Sequence, residues 1–238
     1  MIDFNVKSLV PLCNSFGLSL EAESVDRLEA YGNLLLEWNK KFNLTAITEP
    51  KDVLYKHFYD CLLFFSAVEV KQKAKIIDVG AGAGFPSIVL KIARPDITVT
   101  MLDGLNKRVV FLNEVLRSLS LDGTALHLRA EDAGNDPAFR ERFDICCARA
   151  VAELRVLCEY CAPLVSPGGV FAAMKGSDIG AEIAAAKNAF KTLGLKEPEI
   201  KILTLRENEK RSIVTAKKVS QTPPKYPRNP AKIKKAAL

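Results

Sequence analysis

The sequence predicts an α/β protein: an open, mostly parallel sheet with helices on both faces, preceded by a helical extension. Three observations carry this prediction. From residue 75 to about 218, short β-branched or apolar runs alternate with helix-compatible runs, as parallel strands joined by crossover helices require. The first of those apolar runs breaks into a turn with glycine at positions 80, 82 and 84. Ahead of it, Val25, Leu28, Tyr31, Leu35, Trp38 and Phe42 recur at steps of three and four, which places one apolar stripe on one helix face.

In chain order, the striped helix ends where Asn39, Asn43 and Thr45 interrupt the period in EWNKKFNLTAIT, and a second helix is expected over Val53 to Val68. His57 and Asp60 are three apart and so neighbours on its surface; spacing alone assigns them no chemistry. Strands are expected at Ile76 to Val79, Ile97 to Leu102, Thr124 to Arg129, Phe143 to Ala148 and Val170 to Met174. Helices are expected at Ser87 to Ala93, Lys107 to Leu119, Val151 to Leu164 and Ile179 to Leu193. Glu199 to Leu205 and Ser212 to Thr215, joined by the charged turn RENEKR, read as an antiparallel hairpin at the sheet edge. The chain thus divides into a helical extension (1–70), a sheet domain (71–218) and a basic Pro/Lys-rich tail (219–238).

At 238 residues the chain can bury one large core. Composition is 48% apolar with mean hydropathy +0.06, and no apolar run is long enough to span a membrane. The start, MIDFNVKSLVPL, has no basic segment followed by a long hydrophobic one, so a cytoplasmic protein is expected. Of the six cysteines, Cys146 and Cys147 sit in a strand and Cys158 and Cys161 in a helix. Core packing accounts for all four, and no metal site is expected because no second pair stands at zinc spacing. The net charge of +6 is concentrated at the end: Lys217 to Leu238 hold seven Lys or Arg and no acid. With Pro223, Pro224, Pro227 and Pro230 this stretch cannot form a continuous helix, and it reads as an extended arm suited to phosphates or as a solubilising terminus.

The stretch KIIDVGAGAGFP, Lys75 to Pro86, holds the central candidate site. Glycine lets the backbone turn and lets a ligand come close. The order Asp78-x-Gly80-x-Gly82-x-Gly84 departs from the dinucleotide pattern, which wants its third glycine where Phe85 stands, and so favours S-adenosylmethionine over NAD. Asp103, at the tip of the second strand, is placed to accept from both ribose hydroxyls. In an open parallel sheet, ligands bind beyond the carboxyl ends of the strands. Ala130 with Glu131 and Asp132, for the adenine amino group, and Arg149 and Lys175, for an anion, occupy such ends. The order of elements resembles the seven-stranded class I S-adenosylmethionine-dependent methyltransferase fold.

Taken together, LLLEWNKKFNLTAIT, KHFYDCLLF, IIDVGAGAGFPSIVLKI, MLDGLNKR, FDICCARAVAEL, PGGVFAAMKG, RSIVTAKK and KYPR resemble the glucose-inhibited division protein B family, the methyltransferase G of small-subunit ribosomal RNA. The resemblance runs from about Leu35 to Arg228. It implies methyl transfer from S-adenosylmethionine to N7 of a guanine in 16S rRNA, position 527 in the usual rRNA numbering, with the rRNA or the small subunit as partner. It also implies cofactor contacts at Gly80, Phe85, Ala130, Glu131 and Arg149. Ser87, Val89, Lys91 and Gly104 depart from the family pattern, as does the ending NPAKIKKAAL.

Guanine N7 carries an in-plane lone pair and needs no deprotonation, so alignment and charge stabilisation suffice. The sequence has neither the Asn/Asp-Pro-Pro-Tyr/Phe motif of amine methylation nor the Pro-Cys of cytosine C5 methylation. Arg149 is expected to position guanine O6 or the cofactor, and Lys107, Arg108, Lys175, Lys225 and Arg228 to contact RNA. A small-molecule methyltransferase on the same fold and a non-catalytic RNA-binding protein are the competing readings; the complete glycine and acid set disfavours the second.

Overall fold

The computed structural model describes residues 2–238. A 3-10 turn, Val6–Leu9, leads into α1 (Val10–Asn14) and then α2 (Ala22–Phe42). The stripe expected on α2 faces inward, with Val25, Leu28, Tyr31 and Leu35 buried. Asn43 ends α2 in the left-handed conformation at φ 48°, which asparagine tolerates better than most residues. The second helix is not regular. α3 (Pro50–Asp52) passes into a π-helix (Val53–Tyr59), then α4 (Asp60–Leu62) and α5 (Phe64–Ala67).

The sheet domain follows as β1 (Lys75–Val79), α6 (Ser87–Ala93), β2 (Thr98–Asp103), α7 (Asn106–Ser118), β3 (Thr124–His127), α8 (Ala130–Asn135), β4 (Phe143–Arg149) and α9 (Leu154–Cys161). A 3-10 turn (Ala162–Leu164), β5 (Val165–Lys175), α10 (Gly180–Thr192), β6 (Glu199–Arg206) and β7 (Glu209–Lys217) complete it. Strand order is β3-β2-β1-β4-β5-β7-β6, parallel except for β7, which runs antiparallel to both neighbours. The edge hairpin expected from the sequence is present. Its strands run further than expected, leaving only Glu207 and Asn208 for the turn.

Strand order reverses between β1 and β4, the switch point where open sheets bind ligands. Register places Val79 beside Leu102, Arg149 beside Met174 and Lys175 beside Ser212, so all the candidate strand ends reach one edge. Ile76 and Cys147 pack on the face covered by α5 and α6, while Ile77, Cys146 and Phe171 pack on the face covered by α9 and α10. This is the period-two alternation of a strand buried on both sides. The helical extension shares a core with the first face: Leu28, Tyr31 and Phe58 lie in one cluster with Phe85, Ile88 and Phe111. Truncating any of these to alanine removes a packed side chain and costs about 2 to 5 kcal/mol.

The tail is not a free arm. Tyr226 and Ile233 are buried, and Pro230–Lys235 form a last short helix, α11. Arg140 donates to the carbonyls of Gly134, Thr222, Pro223 and Tyr226. The backbone N–H of Thr222 donates to Glu141. Lys218 is wholly buried and donates to Ala162 O and to Thr222, with Glu141 at 3.3 Å. Arg228 forks onto the buried carboxylate of Glu159 at 2.8 and 2.7 Å. The extended reading treated the prolines and lysines as solvated. What it lacked were the body residues that pair with them.

Arg140→Ala should therefore free the tail while leaving the sheet folded. Losing several charged hydrogen bonds costs about 2 kcal/mol locally, so tryptic cleavage after Lys225 and Arg228 should rise at least ~10-fold, read by mass spectrometry with circular dichroism unchanged.

Candidate active site

The turn after β1 is held from below. Gly80 and Ala81 N–H both donate to Leu102 O, and Tyr31 OH donates to Ala83 O from α2. Gly80, Gly82 and Gly84 have φ of 70°, 61° and 99°, where a Cβ is strained. Their surroundings differ. A Cβ on Gly84 would stand 2.5 Å from Ile88 and one on Gly80 2.7 Å from Val151, whereas one on Gly82 meets nothing closer than Gly80 O at 3.9 Å. Gly82 is thus the open position, where a ligand can lie against the backbone.

Asp103 is nearly buried; its carboxylate accepts from Gly82 N at 2.9 Å and Leu105 N at 2.8 Å, with Arg108 at 3.3 Å. In this state it braces the turn. Glu131, at the start of α8, is 6% exposed and its carboxylate has no hydrogen-bond partner among the described residues. Buried at the start of the helix that follows β3, on the sheet edge that also carries the Gly82 turn, this carboxylate is an acceptor that fits the adenosine end of S-adenosylmethionine. Ala130 next to it is buried too. Asp78 lies beneath the turn, wholly buried: one oxygen accepts from Ser87 N at 3.2 Å, while the other and the Ser87 hydroxyl lack partners among the described residues. Phe85 also turns inward, 5% exposed, against Tyr31 and Phe58.

Arg149, at the end of β4, is the hub. Its Nη1 donates to Asp60 at 3.0 Å and to Lys56 O at 3.1 Å, its Nη2 donates to His57 Nδ1 at 3.0 Å, and its guanidinium lies 4.9 Å from the Phe85 centroid. The His57 ring stacks on Phe85 at 4.2 Å and 15°. Because arginine only donates, Nδ1 must accept, so the proton is on Nε2, which reaches Thr45 Oγ1 at 2.9 Å. Asn39 holds Thr45 through both its N–H and its carbonyl, which gives the WN…NLT stretch its task. Asp60 also meets Arg211 of β7 at 3.4 Å. Burial pushes its carboxyl up, and the two guanidinium groups pull it back.

These residues wall a cleft of about 440 Å³, lined by Lys56, His57, Asp60, Arg149, Lys175 and Arg211 among others. Lys175 is occupied, donating to Ala152 O and pairing with Glu182 at 2.6 Å. Lys107 and Lys225 are exposed, Lys107 near Phe42 O and Lys225 over the Tyr226 ring. The sequence reading missed Thr45, Asp60 and Arg211 and gave His57 no role. The available signal was the His57–Asp60 spacing. Among the described residues no group of three or more His, Cys, Asp or Glu side chains is arranged to hold a metal ion, and no helix is long and apolar enough to cross a membrane.

A sequence model described as rRNA small subunit methyltransferase G matches residues 24–214. A Clostridium botulinum (strain Loch Maree / Type A3) protein named ribosomal RNA small subunit methyltransferase G is 43% identical over 237 residues, 99% of this chain and 98% of its own. One of the same name from Desulforamulus reducens is 50% identical over 202 residues, 84% of each chain. Among solved structures, a S-adenosylmethionine-dependent O-methyltransferase from Thermotoga maritima aligns with TM-score 0.53 at 15% identity, covering 79% of this chain and 72% of that one. The YcgJ protein of Bacillus subtilis aligns with TM-score 0.55 at 13% identity, covering 69% of this chain and all of that one. At such identities the shared property is the fold.

Two buried groups make stability depend on pH with opposite signs. Burial pushes the Asp78 carboxyl up from 3.8 to about 7, so the native state binds more protons than the unfolded chain between those values. The stability Asp78 contributes is complete below about 4 and lost as pH rises through 7. Burial and then Arg149 push His57 down from 6.5 to about 3, so its contribution is lost as pH falls below 6.5. Asp78→Asn, which does not titrate, should gain stability relative to the parent as pH rises from 4 to 8, by on the order of a few kcal/mol, measured by urea unfolding at each pH.

Proposed function

The chain belongs to the rRNA small subunit methyltransferase G family, and from that premise we propose that it transfers a methyl group from S-adenosylmethionine to N7 of a guanine, position 527, in 16S rRNA. The observation that carries the reading is the meeting, on one sheet edge, of the open Gly82 turn and the cleft that Arg149 lines. We assign cofactor contact to Gly80, Gly82, Ala130, Glu131 and Asp103, with Gly84, Phe85 and Asp78 shaping the turn from beneath. S-adenosylmethionine, when bound there, supplies an electrophilic methyl group.

The residues around the cleft support a reaction that needs no base. His57 has its lone pair on Arg149 and its proton on Thr45, Asp60 is shared between two guanidinium groups, and Lys175 is paired with Glu182. Attack by N7 releases no proton, so such committed groups suffice. Arg149 keeps its Nε–H and one Nη2–H without partners among the described residues. These are suited to guanine O6, since bonding N7 itself would occupy the attacking lone pair. Lys107 and Lys225 are exposed and suited to phosphates, Arg108 and Lys175 less so because their charge is partly used, and Arg228 serves the tail. The reaction belongs in the cytoplasm, on the rRNA alone or within the small subunit.

Labelled S-adenosylmethionine offered with small subunits, and separately with their deproteinised RNA, should mark a single guanine that maps by cleavage at N7-methylguanine. Absence of label with cofactor still bound would favour a small-molecule acceptor. Arg149→Ala should lower kcat/KM at least ~10-fold, about 1.4 kcal/mol of transition-state stabilisation; turnover equal to the parent's would refute its role.

A further inference from the structure

We propose that His57 is a positioning residue of the transfer site: its neutral imidazole fixes the Arg149 guanidinium against the Phe85 ring and so couples the glycine turn to the base cleft. The proposal rests on the methyl-transfer reading for what is positioned.

His57 touches three segments at once. It bonds Arg149 from β4 at 3.0 Å, bonds Thr45 from the loop after α2 at 2.9 Å, and stacks on Phe85 of the glycine turn at 4.2 Å. A buried imidazole needs partners for both nitrogens whatever its role; what distinguishes His57 is that they lie on two other segments, one of them the arginine that lines the cleft. Here each nitrogen has one partner, and the two partners fix one tautomer. The Thr45 hydroxyl is itself fixed, accepting from Ile47 N at 3.0 Å, while Asn39 holds the Thr45 backbone. The imidazole therefore transmits the position of the loop to the guanidinium.

The π-helix is what allows this. Asp60 N–H bonds Tyr55 O and His57 O instead of Lys56 O, its partner in a regular α-helix. A lone pair of Lys56 O is then open to Arg149 Nη1 at 3.1 Å. The widened turn thus presents a carbonyl, an imidazole and a carboxylate to one guanidinium, three acceptors from a five-residue stretch. Inserted π turns recur at functional sites for this kind of local re-aiming. With Nη1 committed to Lys56 O and Asp60, the His57 acceptor on Nη2 adds the third point that fixes the guanidinium plane against Phe85. Removing that acceptor loosens the plane that carries the two unpartnered donors, and misplacement by about 1 Å suffices for losses near 100-fold in a reaction governed by alignment.

Two near-isosteric variants separate the two bonds. His57→Asn keeps an acceptor near the Nδ1 position for Arg149 and loses Thr45; His57→Gln keeps a donor near the Nε2 position for Thr45 and loses the acceptor for Arg149. With small subunits as substrate, His57→Gln should lower kcat at least ~30-fold with KM changed less than ~3-fold, and His57→Asn should recover to within ~5-fold of the parent. In the full chain without cofactor, 15N spectra should show His57 protonated on Nε2 and bare on Nδ1. The opposite tautomer overturns the proposal, as does parental kcat in His57→Gln, or equal losses in both variants matched by equal losses in Tm. The parent enzyme run alongside separates the two levels. Failure of the parent to label rRNA overturns the methyl-transfer reading and this proposal with it, whereas labelling by the parent with His57→Gln undiminished overturns the positioning role alone.

Discussion

A guanidinium taken out of water must be paired on every side that water has left, and Arg149 sets this requirement for the whole edge of the sheet. Desolvating such a charge costs several kcal/mol unless geometry and hydrogen bonds repay it. The sheet supplies the arginine but none of the acceptors described for it. Lys56 O, His57 and Asp60 all come from the helical extension. The extension is therefore part of the site, and the sheet domain by itself would leave a buried positive charge uncompensated.

The same requirement explains the ties that hold the extension in place. Tyr31 OH on Ala83 O and Ser24 OH on Ile92 O at 2.8 Å fasten α2 to the glycine turn and to α6. At the other end of the cleft, Arg206 of the edge hairpin meets Asp52 at 2.8 Å and lies over the Tyr55 ring, while Lys56 bridges Asp52 and Glu209. Single surface pairs of this kind contribute little stability. Arranged as a chain they fix the hairpin to the π-helix and bring Arg211 onto the second oxygen of Asp60.

What the sequence made legible follows from what is local. Strand alternation, the glycine turn, the stripe on α2 and the hairpin are short-range patterns, and they located the sheet edge and Arg149 on it. The π-helix carries no periodicity signal of its own, because an added residue in one turn leaves composition unchanged. His57 and Asp60 acquire meaning only when Arg149, some ninety residues away in the chain, is brought between them. The packing of the tail is illegible in the sequence for a related reason. A run of Lys, Arg and Pro looks solvated until Glu159, Glu141 and Arg140, all distant in sequence, are placed beside it. Ser87 remains the local departure that bears most on the site, since its hydroxyl and the free oxygen of Asp78 are both buried without partners among the described residues.

The charge arrangement then has a consequence for the reaction. N7 attack leaves positive charge on the purine, so a cleft crowded with free cations would oppose the product. The cations lining the cleft are paired instead: Lys175 with Glu182, Lys56 with Asp52 and Glu209, Arg149 and Arg211 sharing Asp60. Under the proposed function, attraction for a polyanion, which such pairing weakens inside, falls to exposed lysines outside the cleft lining. Lys40 and Lys41 at the end of α2 and Lys107 at the start of α7 are exposed and have no ion-pair partner among the described residues, and Lys107 reaches Phe42 O, the end of α2, at 3.3 Å. On that reading binding charge and reacting charge are kept apart, and salt is expected to bear on association while the cleft retains its alignment.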